Sequence, residues 1–296
     1  MTGHNMKTTS QLNLSTDSFC HTVPSPRLGR STAALTAWVL AGLALLPLLA
    51  LPSAGGDQAP APRIETVQSA KSLAIPDTDD GLPGAGPIRR YEWFRKLWLE
   101  KRTGWRQRVA QDQGALVFLG DSITQGWGDD LGGSFPGVKV ANRGISGDTT
   151  RGVLIRLQDD VLALRPSGVV LLIGTNDLEE GADPDTIAGN LKLILAELKR
   201  HDPSLPVVLC EVFPSAATKK RPADKIKRIN QLYAEAVKSN PQVTLVKTWA
   251  LFANEQGDAR PEEFPDLLHP NQAGYARWAA ALRPALIRLG LLKEHP

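Results

Sequence analysis

From residue 116 onward, short and almost wholly apolar runs alternate with longer stretches in which apolar residues recur three or four positions apart. The runs are LVFL (116–119), VKVA (138–141), VVLLI (169–173), PVVLCEVF (206–213) and VTLVK (243–247). Runs of this length, rich in β-branched residues, read as strands, and the intervening periodicity predicts helices near 150–164, 185–200, 223–239 and 271–289. Strands separated by helices build a parallel sheet with right-handed crossovers, an α/β fold.

Strand polarity also suggests an order. Runs one, three and four are nearly all apolar, as strands covered on both faces must be, whereas VKVA and VTLVK admit lysines and suit the edges. The order 2-1-3-4-5 satisfies this and puts a ligand crevice between strands one and three, at their carboxyl ends. Gly120 closes strand one at that edge.

Upstream, YEWFRKLWLEKRTGWRQRVAQ (91–111) spaces Phe94, Leu97, Trp98, Trp105 and Val109 at near-helical intervals among basic residues. This predicts an amphipathic helix that packs on the domain or, alternatively, lies on a membrane surface. Residues 53–90 are rich in proline and glycine and nearly free of aromatics, which predicts an extended linker before a domain over 91–296. Residues 31–51 carry no charge, follow Arg27 and Arg30, and precede the next charge at Asp57. The expectation is a cytoplasmic n-region over 1–30 and, over 31–52, a signal peptide or membrane anchor, with membrane contact through 31–51 if it is retained. Pro47 and Ser53-Ala54-Gly55-Gly56 resemble a processing region, so a secreted or periplasmic domain and an anchored one both stay open.

Composition narrows the function. A 296-residue chain with 42% hydrophobic and 22% charged residues can bury a full core. A net charge of +3, without an RNA- or DNA-binding signature, points away from nucleic acid. Cys20 and Cys210 are the only cysteines, and Cys210 in VVLCEV reads as a small buried thiol. The five histidines, at 4, 21, 201, 269 and 295, show no short metal-binding spacing, so neither metal nor other cofactor is expected. No oligomeric state is read from the sequence.

Four segments fall on the carboxyl edge of the predicted sheet: GDS after strand one, NRGISGDTT (142–150) after strand two, GTND (174–177) after strand three, and DLLHPN (266–271) before the last helix. A serine hydroxyl needs a neutral imidazole beside it, itself oriented by a carboxylate. His4 and His21 precede the apolar leader, His295 is in the tail and His201 ends a basic-capped helix, which leaves His269. Asp266 stands three residues before His269, a separation that on one helical turn shares a face. Oxyanion donors are available from the Ser122 and Gly144 N–H groups and the Asn176 amide. Each feature also has an ordinary reading: DLLHPN as the turn that starts the last helix, Gly144 as a positive-φ turn, GTND as a helix cap.

Together the four segments resemble blocks I, II, III and V of the SGNH (GDSL) hydrolase superfamily over residues 91–290, and GDSITQGW, NRGISGDTT, GTND and DLLHPNQAGY are most similar to its platelet-activating-factor acetylhydrolase-like acylesterases. The resemblance implies a three-layer α/β/α sandwich of flavodoxin-like order. It implies Ser122 as nucleophile, Asp266 and His269 as orienting acid and base, and the Ser122 amide, Gly144 and Asn176 as oxyanion hole, supported by Gly120, Asp121 and Gly174. Ile123 stands where the older signature has leucine. The implied activity is ester hydrolysis through an acyl-serine, of short acyl or acetyl groups on a small-molecule, glycan or lipid substrate. Alternatives are acyl transfer to a polysaccharide by the same serine, and a glycan- or lipid-binding module without catalysis. No G-x-S-x-G elbow supports an α/β-hydrolase. The doublets Asp129-Asp130, Asp159-Asp160, Glu179-Glu180 and Glu262-Glu263, which a glycosidase would need, read as solvated surface, as does Lys219-Lys220-Arg221.

Overall fold

The computed structural model describes residues 73–294. Five strands, β1 Leu116–Gly120, β2 Val140–Gly144, β3 Gly168–Leu172, β4 Val207–Cys210 and β5 Val243–Val246, form an all-parallel sheet in the order β2-β1-β3-β4-β5. The main helices are α1 Glu92–Gln107, α2 Ser122–Gln125, α3 Thr150–Asp160, α4 Thr175–Glu179, α5 Pro184–His201, α6 Ala223–Val237 and α7 Gln272–Arg288.

The period-two geometry of a strand sorts the apolar runs between two cores. Val117, Leu119, Val169, Leu171, Val207 and Leu209 point to one face, where they pack with α3, α5 and α6. Leu116, Phe118, Val170, Leu172, Val208 and Cys210 point to the other, against Phe213, Phe252, Phe264 and the Trp278 face of α7. The result is the expected three-layer α/β/α sandwich. The lysine-bearing runs do lie at the edges, with Lys139 just before β2 and Lys247 just after β5.

One boundary shifts in a way that matters below. β2 begins at Val140 and runs through Asn142, Arg143 and Gly144, so the first third of the NRGISGDTT motif is strand. Gly120 and Gly144 are register partners at the ends of β1 and β2.

The amphipathic helix packs on the domain. Phe94, Trp98, Arg102 and Trp105 form its buried stripe, and its three aromatics meet Ile75 and Ile145 in a third, smaller core. Residues 73–90, the latter part of the expected linker, are not a free tether. The Leu73 carbonyl accepts from Trp98 Nε1 at 2.9 Å and Arg102 Nη1 at 2.8 Å, Ala85 exchanges hydrogen bonds with Asn190, and the Pro87 carbonyl accepts from Thr149 Oγ1. Proline and glycine deny this segment a regular element, so its backbone is satisfied by side chains of the domain instead. The expected leader and the first part of the linker lie outside the described residues. Among the described residues no helix is long and apolar enough to cross a membrane.

Trp98 is wholly buried and bonds the upstream segment. Trp98→Ala should therefore cost about 3–5 kcal/mol in urea unfolding.

Candidate active site

The nucleophile turn is built from the end of β1. An added Cβ at Gly120 would lie 2.4 Å from the Leu172 carbonyl and 2.3 Å from Thr124 Oγ1, so close approach, and not a left-handed φ, demands glycine there. Asp121 then caps α2, its Oδ1 accepting the Ile123 N–H at 2.9 Å. Ser122 follows at the first helical position, where backbone N–H groups are not consumed within the helix.

His269 Nε2 lies 2.9 Å from Ser122 Oγ, and His269 Nδ1 lies 2.7 Å from Asp266 Oδ2. The Asp266–His269 spacing works through a tight turn and not a helix: Asp266 Oδ1 accepts the Leu268 and His269 N–H groups at 3.0 and 2.7 Å, and Leu267 takes φ +62°. Burial pushes the Asp266 carboxyl up, but the His269 N–H and imidazole outweigh it and hold it below the ordinary value. An ionised Asp266 only accepts, so the imidazole proton sits on Nδ1 and Nε2 is left to accept from the serine hydroxyl. Both side chains are nearly half exposed, at 43% and 46%, so water reaches the base.

α7 fixes the approach of this pair. Asn271 caps it, accepting the Gly274 N–H, and Tyr275 one turn later donates its hydroxyl to the Ile123 carbonyl at 2.9 Å while stacking on Trp127. DLLHPN is thus both the start of the last helix and the carrier of His269.

Of the expected oxyanion donors, Asn176 is well placed and Gly144 is not. Asn176 Oδ1 accepts from Arg221 Nη2 at 3.0 Å and its Nδ2 donates to the Asp148 carbonyl at 2.9 Å. A guanidinium can only donate, which fixes the amide orientation and leaves the second Nδ2 proton available. Gly144 is the last residue of β2; its N–H already donates to Asn142 Oδ1 at 2.9 Å, and an added Cβ would meet the Gln125 and Asp121 backbone at 2.3 and 2.7 Å. Its glycine serves packing under the nucleophile turn. Gly147, three residues on, has φ +89° and an N–H with no acceptor among the described residues. Its loop is tied to the nucleophile turn through Ser146 N–H and Gln125 Oε1, 2.8 Å apart. The three-residue extension of β2 past Ala141 hid this, since the motif read as loop from Asn142.

Arg221 is likewise missed by the reading of Lys219-Lys220-Arg221 as a solvated loop: it is buried, donating to the Thr175 carbonyl, Asn176 and Glu179. Glu179 also accepts from Arg89, which pairs with Glu180 at 2.6 Å. Asp160 is buried between Arg102 and Arg156, and Glu263 between Arg260 and Arg277, so three of the four doublets are partly structural. Arg89, Arg102 and Arg221 lie 42 to 91 positions from the carboxylates they hold, and no local pattern reports them. Gly174 caps α4 with φ +124°. Cys210 is buried, its thiol pushed up to about 12 by burial.

Beneath the site lie three buried aspartates. Burial pushes Asp121 up to about 7, against the Ile123 N–H. Burial likewise raises Asp148 to about 6, with Arg156 pulling it back, and Asp177 to about 6, with Thr150 pulling it back. Among the described residues no group of histidine, cysteine, aspartate or glutamate side chains is arranged to hold a metal ion.

The sequence model of the family described as "GDSL-like Lipase/Acylhydrolase family" matches residues 118–277, more than half of the chain. The chain belongs to the GDSL-like lipase/acylhydrolase family. It is accordingly a carboxylic ester hydrolase with the SGNH/GDSL fold. The platelet-activating factor acetylhydrolase IB subunit alpha1 of Pongo abelii is 29% identical over 181 residues, covering 59% of this chain and 76% of that protein. The alpha2 subunit of Homo sapiens is 26% identical over 206 residues, covering 67% and 86%. Among solved structures, a GDSL-like lipase from Bacteroides thetaiotaomicron aligns with a TM-score of 0.55 at 25% identity, covering 63% of this chain and 98% of that one. α1 and the segment before it lie outside the family match, although Arg89 reaches the site.

Because the folded-state value of Asp121 is raised, its stabilising contribution is complete below the unfolded value near 4 and is lost as pH rises through about 7. The melting temperature of Asp121→Asn relative to wild type should therefore increase between pH 5 and pH 8, as thermal unfolding at both values would show.

Proposed function

We propose that this GDSL-family hydrolase cleaves short acyl or acetyl esters through an acyl-serine intermediate on Ser122. The observation that carries the reading is the continuous relay from Asp266 through His269 to Ser122, at 2.7 and 2.9 Å. His269 Nε2 takes the serine proton as Oγ attacks the ester carbonyl, and Asp266 stabilises the imidazolium that results. The oxyanion is received by the Ser122 N–H, the Gly147 N–H and Asn176 Nδ2, whose orientation Arg221 maintains. His269 returns the proton to the leaving alcohol. Water, activated by the same imidazole, then releases the acid.

The half-exposed base favours water over a sugar as acceptor, and hence hydrolysis over transfer. The uncharged run at 31–51 supports a catalytic domain outside the cytoplasm, where esters of carbohydrate or lipid are the substrates at hand.

A fluorophosphonate should label Ser122, read as a single adduct by intact mass, and Ser122→Ala should abolish the adduct. Ser122→Ala or His269→Ala should lower kcat for 4-nitrophenyl acetate by about 10⁴-fold or more. Near-wild-type turnover in Ser122→Ala would remove the scheme. Asn176→Ala should lower kcat by roughly 10²–10³-fold, the scale of one lost oxyanion donor.

A further inference from the structure

Nearly all the aromatic side chains of the described residues are inside the domain; Tyr91 and Trp93, 53% and 52% exposed, are the ones left in solvent. They sit together, their rings stacked with centroids 6.4 Å apart and planes within 11°. Both fall outside the buried stripe of α1, so the fold does not require them to be aromatic. Two adjacent exposed rings are a costly arrangement unless something covers them.

Their position says what that is. Trp93 leans on the loop that carries Gly147: an added Cβ at Gly147 would come within 2.8 Å of Trp93 Cη2 and 2.9 Å of Arg89 Nη1. The same loop joins the nucleophile turn through Ser146 and Gln125, and joins Asn176 through the Asp148 carbonyl. One edge of the indole is therefore anchored beside the proposed oxyanion donor while the rest of the ring stays open. Beside it, Glu180 holds Arg89 and accepts the Tyr91 hydroxyl at 3.3 Å, and Glu179 bridges Arg89 and Arg221. Two guanidiniums and two carboxylates pair off, so these four groups carry no net charge toward an anionic headgroup. It offers carboxylate oxygens that accept hydroxyl groups next to aromatic faces that take polarised C–H groups.

A lipid surface fits less well. Leu99, the other exposed apolar side chain of α1, lies six residues from Trp93, about 120° round a helix of 3.6 residues per turn, so the two do not form one apolar stripe. We propose that Tyr91 and Trp93 form the platform for a pyranose ring of a neutral O-acetylated glycan, whose ester then faces Ser122. The proposal rests on the esterase reading above and assigns its alcohol part.

The test compares full-length wild type, Trp93→Ala and Trp93→Phe on O-acetylated cello-oligosaccharides, on 4-nitrophenyl acetate, and on 4-nitrophenyl decanoate in phosphatidylglycerol vesicles. The expected result is a KM for the oligosaccharides raised about tenfold in Trp93→Ala with little change in kcat, partly restored in Trp93→Phe, and a loss several times larger than on 4-nitrophenyl acetate. Equal losses on the oligosaccharides and 4-nitrophenyl acetate would assign Trp93 a structural role and overturn the proposal. So would a loss confined to the vesicle ester, which would make the platform a lipid contact. Wild type that turns over 4-nitrophenyl acetate but no acetylated oligosaccharide would overturn the glycan assignment while leaving the esterase standing. Failure on every ester, without fluorophosphonate labelling, would overturn both.

Discussion

The buried guanidinium of Arg156 holds the carboxyl edge of the sheet together. Its Nη2 donates to the Gly120 and Arg143 carbonyls, at the ends of β1 and β2, and its Nε donates to Asp148 at 2.8 Å. The faces of Trp98 and Trp105 cover it, at 5.9 and 5.5 Å. A charge wholly out of water is tolerable only when paired and bonded in this way, and removing its partner would leave the full desolvation cost uncompensated. Asp148, so held, presents its carbonyl to Asn176. The nucleophile turn, the Gly147 loop and the Asn176 amide are thereby referred to one buried cation, and α1 is recruited to shield it.

That arrangement explains what could be read beforehand. Strand runs, sheet order and the meeting of Ser122, His269 and Asp266 were legible, because each depends on local composition: a continuous apolar run makes a buried strand, a lysine-bearing run falls at an edge, and a histidine without another duty stands out. Gly144 was misread because strand ends are set by register with a neighbour. Gly120 pairs with Gly144, which draws the motif three residues further into the sheet than its own composition suggests. Arg221, Glu179 and Arg89 were illegible for a related reason. A charged residue near a turn looks solvated until its partner, 42 or 90 positions away in the chain, closes on it.

The segment before α1 belongs to the same account. Residues 74–90 form no regular element, yet irregular backbone can be as firmly placed as a strand when side chains satisfy it. Leu73, Ala85 and Pro87 are held in this way, and Arg89 carries that order into the site. The folded unit thus extends beyond residues 118–277, the stretch that the family's sequence model matches.

The contact between His269 and Ser122 joins residues 147 positions apart. Closing so long a loop is entropically slow and gains nothing until the sheet between the two is in place. The proposed nucleophile and base are therefore among the last pairs to meet as the chain folds, and turnover in this protein would report complete folding in a way that helix or sheet content does not.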